Sequence, residues 1–190
     1  MPDRPDELKR QGRAVDPNLD PHELVYHRVD PAFLMPDGTA PGPANITVSG
    51  SAAPFRASVL IKSVSPGLFG AGGFAAANVL TLRSGELSAT NTIRAGASGN
   101  LEMVPIDLGS EDQQVFLVLY GTGIRHQTGV VTAMVGSTSL QVAYAGPQGT
   151  FAGQDQINIE LPRTLRGAGV IDVSLSVDGR NTNTVKIHIQ

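Results

Sequence analysis

One stretch decides the fold of this chain: Val115-Phe116-Leu117-Val118-Leu119-Tyr120-Gly121-Thr122-Gly123-Ile124-Arg125-His126. It opens as an unbroken run of valine, leucine and aromatic residues, and the run stops at a glycine. This pattern is typical of a strand that is buried on both faces. The Gly-Thr-Gly segment predicts a sharp corner where the strand leaves its sheet, which places Arg125 and His126 in a loop.

Short segments of alternating hydrophobicity follow this strand at the spacing of an all-β protein. They are Val131–Val135, Leu140–Tyr144, Ile157–Leu161, Ile171–Val177 and Val185–Ile189. Gly136-Ser137 separates the first two and is a strong hairpin signal. Turn signals every 8–12 residues predict an immunoglobulin-like antiparallel β-sandwich.

Upstream of the central run, Phe74–Leu82 is predicted to be a strand. We interpret residues 83–101 as a polar connection and Met103–Leu108 as a short edge strand, because Pro105 interrupts it. Residues 145–149 are predicted to form a loop. The sandwich is therefore expected to span residues 65–190.

The first third of the chain has a different character. Residues 1–43 contain eight of the thirteen prolines, which predicts an extended or disordered arm with at most one helical turn around His22–Arg28. Residues 44–64 predict an extra β-hairpin, whose turn lies at Gly50–Pro54. This hairpin resembles the last hairpin of the chain, which suggests an internal repeat, and a hairpin alone is not stable in water.

Composition excludes several classes of function. Residues 1–43 have five Lys/Arg and eight Asp/Glu, a net charge of −3, whereas the remainder has nine of each. A neutral domain with an acidic arm has no electrostatic footprint for nucleic acid. No segment is long and apolar enough to span a membrane, no apolar signal-peptide core is visible in Met1–Val15, and there are no cysteines for disulfides or thiolate sites.

A family resemblance rests on five motifs that occur in order. They are Ser65-Pro66-Gly67-Leu68-Phe69, Val104-Pro105-Ile106-Asp107-Leu108-Gly109, Tyr120-Gly121-Thr122-Gly123-Ile124-Arg125, Tyr144-Ala145-Gly146-Pro147-Gln148-Gly149 and Asn183-Thr184-Val185. Together they resemble the Solibacter-type C-terminal domain, an uncharacterised module at the ends of large predicted secreted proteins of soil acidobacteria. The resemblance covers about Ser65 to Gln190. It implies an Ig-like extracellular module and carries over no functional residues.

Two segments of the arm have the ligand types of metal sites but the wrong spacing. His22 and His27 are five residues apart, which places them about 140° apart around a helix at ~100° per residue, so they cannot share one zinc ion. Asp16-Pro17-Asn18-Leu19-Asp20 alternates oxygen ligands as a calcium loop does. However, Pro21 replaces the glycine that such a loop requires, so we expect an acidic linker and no metal site.

The remaining candidates for chemistry are explained better as structure. A Ser-His-Asp triad would need His126 or His188, but no Gly-x-Ser-x-Gly elbow is present and His188 alternates outward on its strand. Gly121-Thr122-Gly123 lacks the third glycine and the helix of a dinucleotide site. Lys62 and Lys186 lie on strands, and a Lys–Asn cross-link would need a buried lysine. We therefore predict no catalytic, cofactor-binding or metal-binding residues.

The sequence accordingly predicts a non-enzymatic structural or adhesive module, extracellular or at the cell surface. Its expected partners are other copies of itself, which it would contact through sheet edges or the N-terminal arm. A more specific form of this hypothesis is assembly into a filament. The alternative is a module that binds a polysaccharide or another ligand through the 83–101 and 145–155 loops.

Overall fold

A computed structural model describes residues 40–48 and 55–190, without the side chains of Val48 and Phe55. The chain divides into two compact units, Met1–Lys62 and Ser63–Gln190. The predictions for the arm, including its helical turn, and for the Gly50–Pro54 turn lie outside the described residues, apart from residues 40–43.

The described part of the first unit is an antiparallel hairpin of strands β1 (Gly42–Val48) and β2 (Phe55–Ile61). The hairpin was predicted from the sequence, and the structure begins its first strand a few residues earlier. Apolar and polar residues alternate along most of both strands, so one face is apolar and the other largely polar. Pro43 and the exposed Leu60, which lie opposite each other, are the apolar residues of the second face. None of the described side chains on either face is fully buried.

The second unit is built from short strands. In chain order they are β3 (Gly67–Leu68), β4 (Gly70–Ala71), β5 (Phe74–Ala75), β6 (Ala77–Arg83), β7 (Glu86–Asn91), β8 (Ile93–Ala95), β9 (Leu101–Met103), β10 (Gln113–Thr122), β11 (Val131–Val135), β12 (Thr138–Gln141), β13 (Tyr144–Pro147), β14 (Asp155–Glu160), β15 (Gly169–Val177), β16 (Arg180–Asn181) and β17 (Val185–Ile189). One turn of 3₁₀ helix at Arg163–Leu165 connects β14 to β15.

The strands form two main sheets and a small separate hairpin of β8 and β9. Sheet one has the order β13-β14-β10-β6-β7, and β3 also pairs with β10. Sheet two has the order β12-β11-β15-β17-β5-β4, and β16 also pairs with β15. Strands β6, β10, β14 and β13 follow the A-B-E-D order, and β12, β11, β15 and β17 follow C′-C-F-G. The predicted all-β, immunoglobulin-like antiparallel sandwich is therefore confirmed.

The central run forms β10, which lies in the middle of sheet one between β6 and β14. Val115, Leu117 and Leu119 point into the core between the sheets. Val118 points to the other face and is only 3% exposed. The prediction of a strand with buried residues on both faces is thus confirmed for the middle of β10.

Five local predictions for this unit were wrong. Met103–Leu108 is not a strand, because β9 ends at Met103 and the segment after it makes only an isolated bridge, between Ile106 and Ile189. Leu140–Tyr144 is not one strand either, because β12 ends at Gln141 in sheet two and β13 begins at Tyr144 in sheet one.

The segment Phe74–Leu82 is not one strand, because the chain crosses from sheet two to sheet one at Ala76. Buried Thr92 stabilises this crossing, since its Oγ1 lies 2.7 Å from the Ala75 carbonyl oxygen and accepts a hydrogen bond from the Ala77 N–H at 3.2 Å. Residues 83–101 contain β7 and β8, and residues 145–149 contribute to β13.

The physical reason lies in the position of β7 and β13 at the edges of sheet one, and β7 is in addition exposed on both faces. Both are edge strands of sheet one, so backbone pairing on one side holds them in place. All six residues of β7 are exposed, and hydrophobic alternation is not needed where neither face is covered. Polarity and glycine content therefore indicated loops where the chain forms strands.

Candidate functional site

The most constrained surface segment of the second unit is the loop between β10 and β11, residues 123–130, which we call the pinned loop. It begins at Gly123, whose φ of 72° lies in the left-handed region. A Cβ at Gly123 would overlap the carbonyl oxygen of Ser65, and one at Gly121 would overlap that of Gly67. The two glycines thus allow close approach of the chain at Ser65–Gly67, and Gly123 also makes the expected corner.

A buried carboxylate holds the first half of the pinned loop. Asp155 Oδ2 accepts hydrogen bonds from the backbone N–H groups of Ile124 at 2.7 Å and Arg125 at 3.2 Å. Asp155 Oδ1 pairs with Arg125 Nε at 2.7 Å, and the same guanidinium donates to the Gln154 carbonyl at 2.9 Å. The Asp155 side chain is 0% exposed and that of Arg125 23% exposed. Arg125 is a loop residue, as predicted, but one with a buried structural partner.

A second carboxylate holds the other half of the loop. Asp178, in the turn after β15, accepts hydrogen bonds from the N–H groups of Thr128 at 3.0 Å and Gly129 at 2.8 Å. The Thr128 N–H bond, followed by that of Gly129, lowers the pKa of the Asp178 carboxyl below its usual value of 3.8. Two carboxylates that are distant in sequence therefore fix both ends of one loop.

An open groove lies beside the pinned loop. Its volume is about 410 Å³, which is within the range of small-ligand sites, and it is lined by parts of the loop and by residues 141–145. Val130 is 72% exposed on one wall and Tyr144 is 41% exposed on another. The side-chain amides of Gln127 and Gln141 also line it and, within the described chain, neither has a hydrogen-bond partner.

The chemistry of this groove is neutral. Two amides can donate and accept hydrogen bonds, the valines offer aliphatic surface, and Tyr144 offers one ring. The Tyr144 hydroxyl is already engaged, since it donates to the Pro147 carbonyl at 2.7 Å. Such a lining suits an uncharged polar ligand better than an ionic one.

The histidines considered from the sequence lie on different elements. His126 is exposed in the pinned loop. His188 lies on the outer face of β17, opposite Val170 of β15 in the strand register, as its alternation predicted. Neither histidine side chain has a hydrogen-bond or ion-pair partner among the described residues.

The lysines do not have the environment that a cross-link requires. Lys186 Nζ pairs with Asp172 Oδ1 at 2.6 Å across β17 and β15, and both side chains are at least half exposed. Lys62 is also exposed. The Lys186–Asp172 pair is a cross-strand ion pair on the surface, of the kind that contributes little to stability.

Among residues 40–48 and 55–190, no three His, Asp or Glu side chains lie close enough to hold a metal ion. The candidates that the sequence offered, His22 with His27 and the Asp16–Asp20 segment, lie outside those residues. In the described part of the chain, no helix has the length and apolar character needed to cross a membrane.

Comparisons with protein-family models, with curated proteins and with solved structures found no match to this chain. The resemblance to the Solibacter-type domain therefore stays a prediction.

Sequence reasoning missed the groove and the two carboxylates that hold the loop beside it. The ligand-binding alternative was assigned to residues 83–101 and 145–155, whereas only Ala145 of those segments lines the groove. The signal in the sequence that could have pointed to the groove is Val130, an apolar residue that lies just before β11 and out of phase with its alternating buried residues.

Proposed function

We propose that this protein is a non-enzymatic structural or adhesive module of the immunoglobulin-like type, which acts outside the cell or on its surface by associating with other copies of itself. The hairpin of β1 and β2 would be the attachment element. The single observation that supports this role most is the apolar face of that hairpin. The extracellular location is supported by the family resemblance.

The strand register brings the apolar side chains of the hairpin to one face. Ala44 lies opposite Val59, and Ile46 lies opposite Ala57. Each of these four residues is only partly buried in the described chain. A two-stranded hairpin is marginal in water by itself, so a face of this kind is stabilised by docking on an apolar surface.

Strand exchange between copies would bury this face and join sandwich units into a chain of modules. An association in which each copy donates its hairpin to the next is head-to-tail, and such an arrangement grows into a filament unless the ring closes. This is the assembly that the sequence suggested.

The test is size-exclusion chromatography of the full chain combined with limited proteolysis. We expect Ile46→Asp to weaken association at least about tenfold, because a carboxylate in an apolar contact is strongly unfavourable. Thr47→Asp is the matched control, since it adds the same charge one residue away on the exposed face. This control should associate like the wild type.

A monomeric wild type whose first 62 residues are cut rapidly by protease would contradict the proposal. Equal effects of Ile46→Asp and Thr47→Asp would contradict it as well, because a general charge effect would then explain the loss of association.

A second candidate function, binding of a polysaccharide or another neutral ligand, is favoured by the groove beside the pinned loop. A loop that is fixed before binding loses little conformational entropy when a ligand arrives. A glycan array would reveal such a ligand, and Tyr144→Ala should abolish its binding. Phe151→Ala removes an aromatic ring that is 64% exposed and does not line the groove, so it should leave binding unchanged.

A further inference from the structure

We infer that a second copy of this chain pairs with strand β7 at the open edge of sheet one. In this pairing the two β7 strands lie antiparallel across a two-fold axis through Ala89. The interface goes beyond the proposed function because it does not involve the hairpin of β1 and β2, and the two can be tested separately.

The free edge of β7 follows from its hydrogen-bonding register. The Thr92 N–H donates to the Ala77 carbonyl at 3.1 Å, which places Thr92 among the residues whose backbone faces β6. Hydrogen-bonded positions repeat every second residue in an antiparallel pair, so Glu86, Ser88 and Thr90 also face β6. The N–H and C=O groups of Leu87, Ala89 and Asn91 therefore point away from the sheet. Within the described chain they have no backbone partner.

β7 lacks the features with which proteins usually block an exposed edge strand. It has no proline and no lysine, and its one charged residue, Glu86, is at its start. The opposite edge of the same sheet, β13, is protected, since it ends at Pro147, whose carbonyl oxygen accepts the Tyr144 hydroxyl. At the edges of sheet two, β12 has 4 residues and β4 has 2, compared with 6 in β7.

The strand is complementary to itself. With Ala89 opposite Ala89 of the second copy, Leu87 lies opposite Asn91 at both ends, and the outward-facing groups form roughly six backbone hydrogen bonds. In this register Glu86 lies opposite Thr92 of the second copy, so no like charges meet across the axis.

The side chains on the outer face of sheet one support the same register. Phe116 of β10 lies opposite Leu80 of β6, and Leu80 lies opposite Ala89 of β7. Pairing about Ala89 therefore continues this apolar row straight into the second copy. Leu87, which is 64% exposed, lies one step along β7 on the same face. The second copy thus extends both the hydrogen-bonding ladder and the apolar row.

Cysteine cross-linking of the full chain tests the register directly, because the protein contains no cysteine of its own. In the variant Ala89→Cys, the two cysteines face each other across the axis. Hydrogen-bonded pairs have Cα atoms about 5.5 Å apart, which is within the range that a disulfide bridges. We expect a disulfide-linked dimer under mild oxidation. Thr90→Cys is the control. Thr90 is also exposed, but its side chain is on the other face and lies opposite Ser88 of the second copy, so this variant should cross-link at least about tenfold more slowly.

A charge variant tests the same interface without a covalent bond. Ala89→Lys places two like charges opposite each other and should weaken the dimer at least about tenfold, measured by sedimentation velocity, with the thermal unfolding midpoint near that of the wild type. Equal cross-linking of Ala89→Cys and Thr90→Cys, or unchanged sedimentation of Ala89→Lys, would overturn the inference.

The two proposals can fail independently. Cross-linking of Ala89→Cys should persist when Ile46→Asp is added, because that substitution affects only the hairpin. If the double variant no longer cross-links, β7 pairing depends on the hairpin and the inference as stated is wrong.

Discussion

At the residue scale, two carboxylates of the second unit bind residues that are distant in the sequence. Asp155, the first residue of β14, binds the start of the pinned loop, and Asp178, in the turn after β15, binds the end of that loop. A buried carboxylate is tolerated only when its oxygens are paired. In the described chain every buried side-chain nitrogen and oxygen has a partner.

Asp155→Asn should therefore be costly. The amide group that replaces one oxygen would face N–H donors, and the partly buried Arg125 would lose its ion pair. We expect the free energy of unfolding to fall by about 3 kcal/mol in chemical denaturation. Asp172→Asn disrupts an exposed ion pair in sheet two and should cost less than about 0.5 kcal/mol. Similar losses in the two variants would contradict this assignment.

The Asp178 interactions predict a pH dependence of stability. Because its folded-state pKa lies below the usual 3.8, the Asp178 carboxylate stabilises the fold above about pH 4. That contribution is lost as the pH falls through the folded-state pKa. The difference in unfolding free energy between wild type and Asp178→Asn should therefore be largest near pH 7 and shrink below pH 3.8. A difference that stays constant from pH 7 to pH 2.5 would be incompatible with this mechanism.

These residue contacts could not be predicted from the sequence. Arg125 and Asp155 are 30 positions apart, and nothing in the spacing marks them as partners. The glycines between Tyr120 and Ile124 did predict a corner, because a positive φ has a recognisable sequence preference. The close approach of Ser65–Gly67 to these glycines could not be predicted, since it depends on the tertiary path of the chain.

At the element scale, one side chain joins the two sheets: Asn183, in the connection between β16 and β17 of sheet two, binds β3 of sheet one. Asn183 precedes β17, and its Oδ1 accepts the Leu68 N–H at 2.8 Å while its Nδ2 donates to the Leu68 carbonyl at 3.1 Å. The amide thus pairs with Leu68 much as a neighbouring strand would. The Asn183-Thr184-Val185 motif was identified from the sequence, although this role was not.

Asn183→Ala should remove both bonds and leave the Leu68 backbone unsatisfied. We expect a loss of about 2 kcal/mol of unfolding free energy, at about 1 kcal/mol for each hydrogen bond. Asn181→Ala, at an exposed position of β16, should change it by less than about 0.5 kcal/mol. A stability of Asn183→Ala within 0.5 kcal/mol of wild type would show that the bridge contributes little.

Strands with a buried face were predictable and exposed strands were not. The segments that became β11, β14, β15 and β17 alternate because one face packs in the core. β7 gave no such signal because both of its faces are exposed. The strand that we infer to be an interface, β7, was therefore among those that the sequence pattern did not reveal.

At the scale of the whole molecule, the second unit has the strand order of an immunoglobulin-like sandwich. Much of its core is formed by the alternating residues that the sequence indicated, together with residues outside the strands, such as Ile124 and Leu165, that it did not. The functions that we propose depend instead on surfaces: the apolar face of the hairpin, the edge of β7 and the groove. Residues that act at the surface have no regular spacing in the sequence. The sequence therefore predicted only the class of partner, another copy of the chain or a polysaccharide.

The measurement that tests self-association most directly is sedimentation equilibrium of the unmodified full chain over a hundredfold range of concentration. If the chain associates with itself as we propose, the average mass rises with concentration above the 19.8 kDa of one chain. A single species of 19.8 kDa at every concentration would contradict it.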